Sequence, residues 1–371
     1  MIAGLQSARR LVVKIGSALL VDPQSLTIRR AWLDSLGEDI AALRARGQEV
    51  AIVTSGAVAI GRSRLGLADR VLRLDEKQAA AAVGQIHLAH LYQEVFGRHG
   101  VTVAQILLTR EDTEARRRHL NARATIGQLL ALGAVPVINE NDTVTTAEIR
   151  FGDNDRLAAR VAGMISADTL VLLSDIDGLY TADPRRDPAA RHLLEIRDLT
   201  PDILAMAGPA QPGLSSGGMV TKLAAARIAM AAGCRMVIAR GEPLHPLHRL
   251  ESGALCSWFI PSAEPLTARK RWIAGAVAPA GAVIVDAGAA AALRSGSSLL
   301  PVGVIGIEGV FERGDAVIVR TSDGRVAARG LSAYASADIE RLRGHKSGEI
   351  DALLGYRGRD EIIHRDDLVV G

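Results

Sequence analysis

Two lysines in this 371-residue chain stand beside glycine-rich turns, each where a positive charge asks for an anion. Lys14 stands near the end of the apolar run from Leu11 to Ile15, which Gly16 and Ser17 follow. A charge ending a buried strand is costly unless paired. Gly16 lets backbone approach a ligand, and the amides beside it can share a phosphate with the lysine. The same lysine could equally snorkel to the surface. Lys222 ends the run Ser215-Ser216-Gly217-Gly218-Met219-Val220-Thr221 and leads into an alanine-rich helical stretch. Paired glycines before a helix can wrap phosphates with backbone amides; elsewhere such a pair is only a turn. Gly-Lys-Ser/Thr occurs nowhere, and no Gly-x-Gly-x-x-Gly follows the first strand, so the common nucleotide fingerprints are absent.

Three further loops carry polar groups. Ser55-Gly56-Ala57 follows an apolar run and opens a helical pattern, which suits an anion site or an ordinary serine cap. Asn139-Glu140-Asn141-Asp142-Thr143 is followed shortly by Phe151-Gly152-Asp153-Asn154-Asp155. Asp supplies acceptors and Asn both donor and acceptor, so two such clusters could read an amino group and a carboxylate. Asx turns and caps are the plainer use, and Asp153 is expected to cap the helix through Leu157 and Val161. Ser174-Asp175-Ile176-Asp177-Gly178 has the place of a nucleotide contact, or of a turn at Asp177-Gly178.

The elements that hold these loops alternate. Apolar runs at 11–15, 50–54, 101–108, 134–138, 169–173 and 236–239 are separated by helical patterns, one with Trp32, Leu33, Leu36, Ile40 and Leu43 on one face. A long alanine-rich helix is expected to start at a cap, Asp75, and to end at Gly97 or Gly100. This predicts a three-layer α/β/α sandwich with a mainly parallel sheet, with ligands at the carboxyl ends of the strands. From about residue 280 short β-like pieces at 282–285, 302–307 and 316–319 alternate with glycine turns and predict a small β-rich domain, reached through a proline-rich connection.

Hydrophobic residues make up 48% and charged residues 23%, a normal globular balance, and aromatics only 3%, too few for a row of base-stacking platforms. The net charge of +3 implies no polyanionic partner. Cys234 and Cys256 form no CxxC pair and read as small buried hydrophobes of a reducing compartment. No run is long enough for a membrane span, so a cytoplasmic protein is expected. No cluster has metal-ligand spacing, and His245 and His248 read as surface residues.

Taken in order, 12–17 (Val-Val-Lys-Ile-Gly-Ser), 55–57, 138–142, 151–155, 178–184 (Gly-Leu-Tyr-Thr-Ala-Asp-Pro) and 217–222 resemble the amino-acid kinase family, in its branch that phosphorylates glutamate. The tail is similar to a PUA domain at 285–289, 296–301 and 364–368. The resemblance implies a kinase domain over 1–265, a linker at 266–279 and a PUA domain with tail over 280–371. It implies transfer of phosphate from ATP, with Mg²⁺ held mainly by the nucleotide, to the side-chain carboxylate of L-glutamate, the first step of proline synthesis. By motif position Ser55, Asp142 and Asn154 would bind glutamate. Lys14, Ser174, Asp175 and the stretch Ser216, Gly217, Gly218, Met219, Val220, Thr221 and Lys222 would contact ATP. Lys14 and Lys222 would act on the transferring group, with Asp155 orienting them. Serine replaces the expected threonine at Ser174 and Ser216, and Ile176 replaces a polar residue. Proline feedback, dimers or tetramers, and contact with the next enzyme are further implications.

Two alternatives stand beside this one. Another acid acceptor of the same family, such as aspartate, N-acetylglutamate or carbamate, would use the same loops. An RNA-binding role for the PUA tail meets an electrostatic objection: Pro279 to Gly371 holds 11 Lys and Arg against 13 Asp and Glu, where a phosphate footprint should be basic.

Overall fold

Alternation along the first strand, β1 (Arg10–Ile15), decides which face Lys14 serves. Leu11, Val13 and Ile15 enter one core with Trp32, Leu36, Ile40, Leu88 and Tyr92. Val12 enters the other, with Leu157, Val161, Leu223 and Ala226. Lys14 shares the face of Val12, so its chain is directed to the second layer of helices. The structure is a computed structural model and describes residues 4–67, 71–145, 154–208, 218–265, 267–268, 270, 273 and 279–370.

The described chain divides into two compact units, Met1–Pro265 and Leu266–Gly371. In the first, β1 is followed by α1 (Ser17–Leu20), α2 (Arg30–Ala45) and β2 (Glu49–Thr54). Helices α3 (Ala57–Arg64) and α4 (Leu74–Gly97) lead to β3 (Val103–Leu108), and α5 (Arg110–Glu114) and α6 (Arg116–Ala131) lead to β4 (Val135–Glu140). Helix α7 (Asn154–Met164) precedes β5 (Thr169–Ser174), a small hairpin β6 (Leu179–Tyr180) and β7 (His192–Leu193), and β8 (Glu195–Ile196). Then come α8 (Pro201–Ala205), α9 (Met219–Ala231), β9 (Arg235–Arg240), α10 (Pro246–Glu251) and β10 (Cys256–Phe259).

The eight-stranded sheet runs β3-β4-β2-β1-β5-β9-β10-β8. It is parallel from β3 to β9, and β10 runs antiparallel to β9. The chain builds to one side of β1 through β2, β4 and β3, then crosses to β5 on the other side, which makes β1/β5 the topological switch point. Ligands of open α/β sheets bind at such a crevice, outside the carboxyl ends of the strands. The expected α/β/α architecture with its mainly parallel sheet is the observed one.

The second unit has its own sheet, β12-β11-β13-β14-β15, made of β11 (Gly281–Val285), β12 (Val304–Glu308), β13 (Ala316–Thr321), β14 (Val326–Leu331) and β15 (Leu368–Val370). Only the β11/β13 pair is parallel. Val283, Leu293, Phe311, Val317, Tyr334 and Ile362 fill its core. Of the tail aromatics, Phe311 and Tyr334 are buried and Tyr356 is exposed.

Several local expectations are corrected. Asp75 lies in the first turn of α4 and is not its cap; Arg73 holds that position, and its N–H donates to the Glu76 carboxylate three residues on. The strand expected from 302 starts at Val304, because Pro301–Gly303 forms a 3-10 turn. The proline-rich stretch is partly built into the first unit: Pro246 opens α10, and Trp258 and Phe259 are buried in β10 of the eight-stranded sheet. Cys234 is buried, but Cys256 is only half-buried. His245 keeps the surface place expected of it, with its side chain partly exposed and Nδ1 3.2 Å from the buried Asp39 carboxylate. Asp153, expected as a cap, lies outside the described residues.

Candidate active site

The switch point gathers charge around one carboxylate. Asp155 sits in the first turn of α7, where the helix dipole favours an anion. It is fully buried. Lys14 reaches it from β1, with Nζ 2.6 Å from Oδ1. Lys222 reaches it from the first turn of α9, with Nζ 3.2 Å from Oδ2. The Thr221 hydroxyl donates to the same oxygen at 3.0 Å. Lys14 and Lys222 are themselves only 8% and 5% exposed, which excludes a snorkelling role for either.

Burial pushes the Asp155 carboxyl up, but the Lys14 and then the Lys222 charge, with the Thr221 hydrogen bond, outweigh it and hold the group below the ordinary carboxylate range. Among the described residues both ammonium groups pair with this one carboxylate, and the charge of Lys222 also reaches Asp175. Such a site can receive further negative charge with its donors already in place.

A neutral cluster stands at the neighbouring strand ends. Asn154, one residue before Asp155, donates through Nδ2 to the Thr54 carbonyl at 2.7 Å and faces Ser55 Oγ at 2.7 Å and Asn139 Oδ1 at 3.0 Å. The Ser55 N–H donates to the Ile15 carbonyl, which ties the end of β2 to the end of β1. Gly56, the residue before α3, has φ +110°, a value that favours glycine. Thr54 Oγ1 lies 2.8 Å from the buried Tyr92 hydroxyl, and Asn139 Nδ2 donates to Gln85 Oε1 at 2.9 Å. Asp142 is half-buried in the loop after β4.

At the end of β5 the Ser174 hydroxyl donates to Asp175 Oδ1 at 3.0 Å, and Arg185 donates to Oδ2 at 3.1 Å. Burial raises the Asp175 carboxyl, and the Arg185 and Ser174 hydrogen bonds outweigh it and lower it. Ile176 packs inward against the α7/α9 core. A Cβ on Gly178 would lie 2.3 Å from both His192 Nε2 and Ser257 Oγ, so this is a close-packed turn that admits no side chain.

Structure thus joins Lys14, Asp155 and Lys222, joins Ser55 with Asn154, and joins Ser174 with Asp175. Gly218, Met219, Val220, Thr221 and Lys222 form the start of α9. Ser216 and Gly217 lie outside the described residues, as do 151–153. Gln85, Tyr92 and Arg185 were not singled out from sequence. A glutamine beside the buried stripe Ala81-Gly84-Leu88-Tyr92 of α4 was the available sign for Gln85.

The model of the amino acid kinase family matches residues 9–240, more than half of the chain. The chain belongs to the amino acid kinase family. The PUA domain model matches residues 281–354. Among curated relatives, this amino acid kinase is 62% identical over 366 residues to the glutamate 5-kinase of Paramagnetospirillum magneticum, a match covering 99% of each chain. It is 59% identical to that of Gluconobacter oxydans over 99% of this chain and 97% of the other. It is 61% identical to that of Rhodospirillum rubrum over 97% and 96% of the two chains. Among the described residues no helix is long and apolar enough to cross a membrane.

Proposed function

We propose that this chain transfers the γ-phosphoryl group of ATP to the side-chain carboxylate of L-glutamate, giving L-glutamyl 5-phosphate and ADP, the first step of proline biosynthesis. The observation that carries this is the buried Lys14–Asp155–Lys222 cluster at the switch point of the sheet. Relatives named glutamate 5-kinase at about 60% identity over nearly the whole chain support the acceptor.

The chemistry fits the groups present. A glutamate side chain has a reference pKa of about 4.3 and is ionised near neutral pH, so the nucleophile needs no general base. What is required is to hold two anions together and stabilise the moving charge. Lys14 and Lys222 supply that charge, and Asp155 keeps both ammonium groups aimed at one place. Ser55, Asp142 and Asn154 bind glutamate. Ser174, Asp175 and the stretch from Ser216 to Lys222 hold ATP. Both oxygens of Asp155 are occupied by Lys14, Lys222 and Thr221, so the Mg²⁺ that accompanies ATP would be held by phosphate oxygens and water. Bound there, it would neutralise charge on the phosphates. The catalytic part spans 1–265 and the tail 280–371, and a cytoplasmic site of action goes with this reading.

ADP release measured with glutamate, aspartate, N-acetylglutamate and carbamate tests it. Glutamate is expected to be turned over at least about tenfold faster than the others, the low end of the discrimination that a single methylene, the difference from aspartate, supplies. Equal or faster turnover of another acid would reject glutamate as the acceptor.

A further inference from the structure

Two backbone groups of fixed sense set the polarity of a chain of three side-chain amides. The Glu140 N–H can only donate, and it donates to Asn139 Oδ1 at 2.9 Å. Asn139 must then turn Nδ2 the other way, where it meets Gln85 Oε1 at 2.9 Å. At the opposite end the Thr54 carbonyl can only accept, and it takes Asn154 Nδ2 at 2.7 Å. The same Nδ2 faces Asn139 Oδ1 and Ser55 Oγ. Neither Asn139 nor Asn154 can be flipped without opposing two like groups.

Asn154 therefore spends its NH₂ group on protein acceptors and has Oδ1 left to offer a ligand. An acceptor oxygen there suits an ammonium and disfavours a carboxylate. Gln85 is well placed to brace this relay at its Asn139 end. Its neighbour Gly84 packs so tightly on α3 that a Cβ would lie 1.8 Å from the Ala57 carbonyl oxygen. The backbone of Gln85 is thus fixed relative to the loop that starts α3, and Asn139 is only 3% exposed, so water has little room to replace the glutamine.

We propose that Gln85 is a positioning residue for the α-ammonium group of the acceptor: by accepting from Asn139 it braces in place the amide relay whose sense the Glu140 N–H and the Thr54 carbonyl fix, and which leaves Asn154 Oδ1 to meet that ammonium. The inference rests on the reading of glutamate as the acceptor bound at Asn154.

The test compares glutamate with glutarate, which lacks the ammonium, in wild-type and Gln85→Met protein. Glutarate is read as a substrate or, where it is not turned over, by its Ki as a competitor of glutamate. Methionine keeps the length of glutamine without its acceptor. The expected result is a glutamate KM raised about tenfold, the cost of one unsatisfied buried polar group, with the KM for ATP and the constant for glutarate unchanged. Gln85→Glu retains acceptor oxygens and should recover most of the loss. The inference is overturned by an unchanged glutamate KM, by equal losses on glutamate and glutarate, or by a Gln85→Glu protein no better than Gln85→Met. Should Gln85→Met not fold, Gln85→Ala is read by the same glutamate-to-glutarate ratio. A wild-type chain without glutamate-dependent ADP release overturns the acceptor reading, and this inference with it, before any variant is compared.

Discussion

The two clusters at the strand ends are adjacent but built from opposite materials. The Lys14–Asp155–Lys222 cluster is charged, lies on the α7/α9 face, and would handle a group whose charge moves. The Asn139–Asn154–Ser55 cluster is neutral and is braced from the α2/α4 face, because Thr54 and Asn139 share strand parity with Ile52 and Val137 of that core. Consecutive residues of α7 join the two: Asn154 belongs to one and Asp155 to the other. Two ammonium groups held at one place favour an incoming phosphate, whereas neutral amides can read a zwitterion without adding a charge that competes for it. Separating them onto two layers lets each be held by its own helix.

The largest expected effect comes from removing a cation. Lys14→Ala and Lys222→Ala should each lower kcat by about 10²–10³-fold, the scale of losing a preorganised charge-stabilising donor, while the KM for glutamate changes far less. Steady-state assays at saturating ATP with unchanged circular dichroism check this; a tenfold rise in glutamate KM with normal kcat would erase the division of labour between the clusters.

Asp155→Asn attacks stability as well, since it removes the buried carboxylate charge that both ammonium groups pair with. A cost of about 3–5 kcal/mol is expected in denaturant titrations. The sign of its pH dependence follows from the lowered carboxyl. Wild-type stabilisation should be fully present above the unfolded-state value of about 3.9 and should fade as pH falls through it towards the lower folded value. The gap between wild type and Asp155→Asn should therefore be flat at neutral pH and narrow in acid. A gap that widened in acid would show the carboxyl to be raised instead.

On the neutral side Tyr92→Phe is the milder probe. It removes the hydroxyl beside Thr54 Oγ1, which retains a bond to the Ser55 carbonyl at 3.1 Å. About 1 kcal/mol of stability should be lost, read as a drop of a few degrees in Tm, with kcat unchanged. A kcat loss approaching that of the lysine variants would mean that the two layers are not independent.

Much of the charged cluster was legible in the sequence. Lys14 stands near the end of an apolar run, Lys222 follows paired glycines, and Asp155 stands in an Asn/Asp cluster, so strand-end logic and motif order reach all three. The amide relay was not legible in the same way. Asn139 is visible in its cluster, but its partner Gln85 lies 54 residues away on a helix, and nothing local marks the pair. Arg185 was likewise unforeseen beside Asp175, because it comes from a loop ten residues on. The cap of α4 was misplaced since Asp75 looks like a cap, while Glu76 folding back on Arg73 provides the bond. Strand ends were readable because hydrophobic runs announce them; side-chain partners across layers depend on packing that no local pattern encodes.

The contact between α3 and α4 bears on timing as well as place. Gly61 and Gly84 face each other so closely that a Cβ on either would lie 1.8 Å from a carbonyl oxygen of the other helix. Helix α3 has eight residues, too few to persist alone, whereas α4 has 24. The short helix and the Ser55-Gly56 turn that begins it should thus share the opening rate of the long one. In native-state hydrogen exchange their amides should be released as one cooperative unit, and Gly84→Ala should speed exchange in both helices together. A loop at the mouth of the site would then keep the slow clock of an element in the interior.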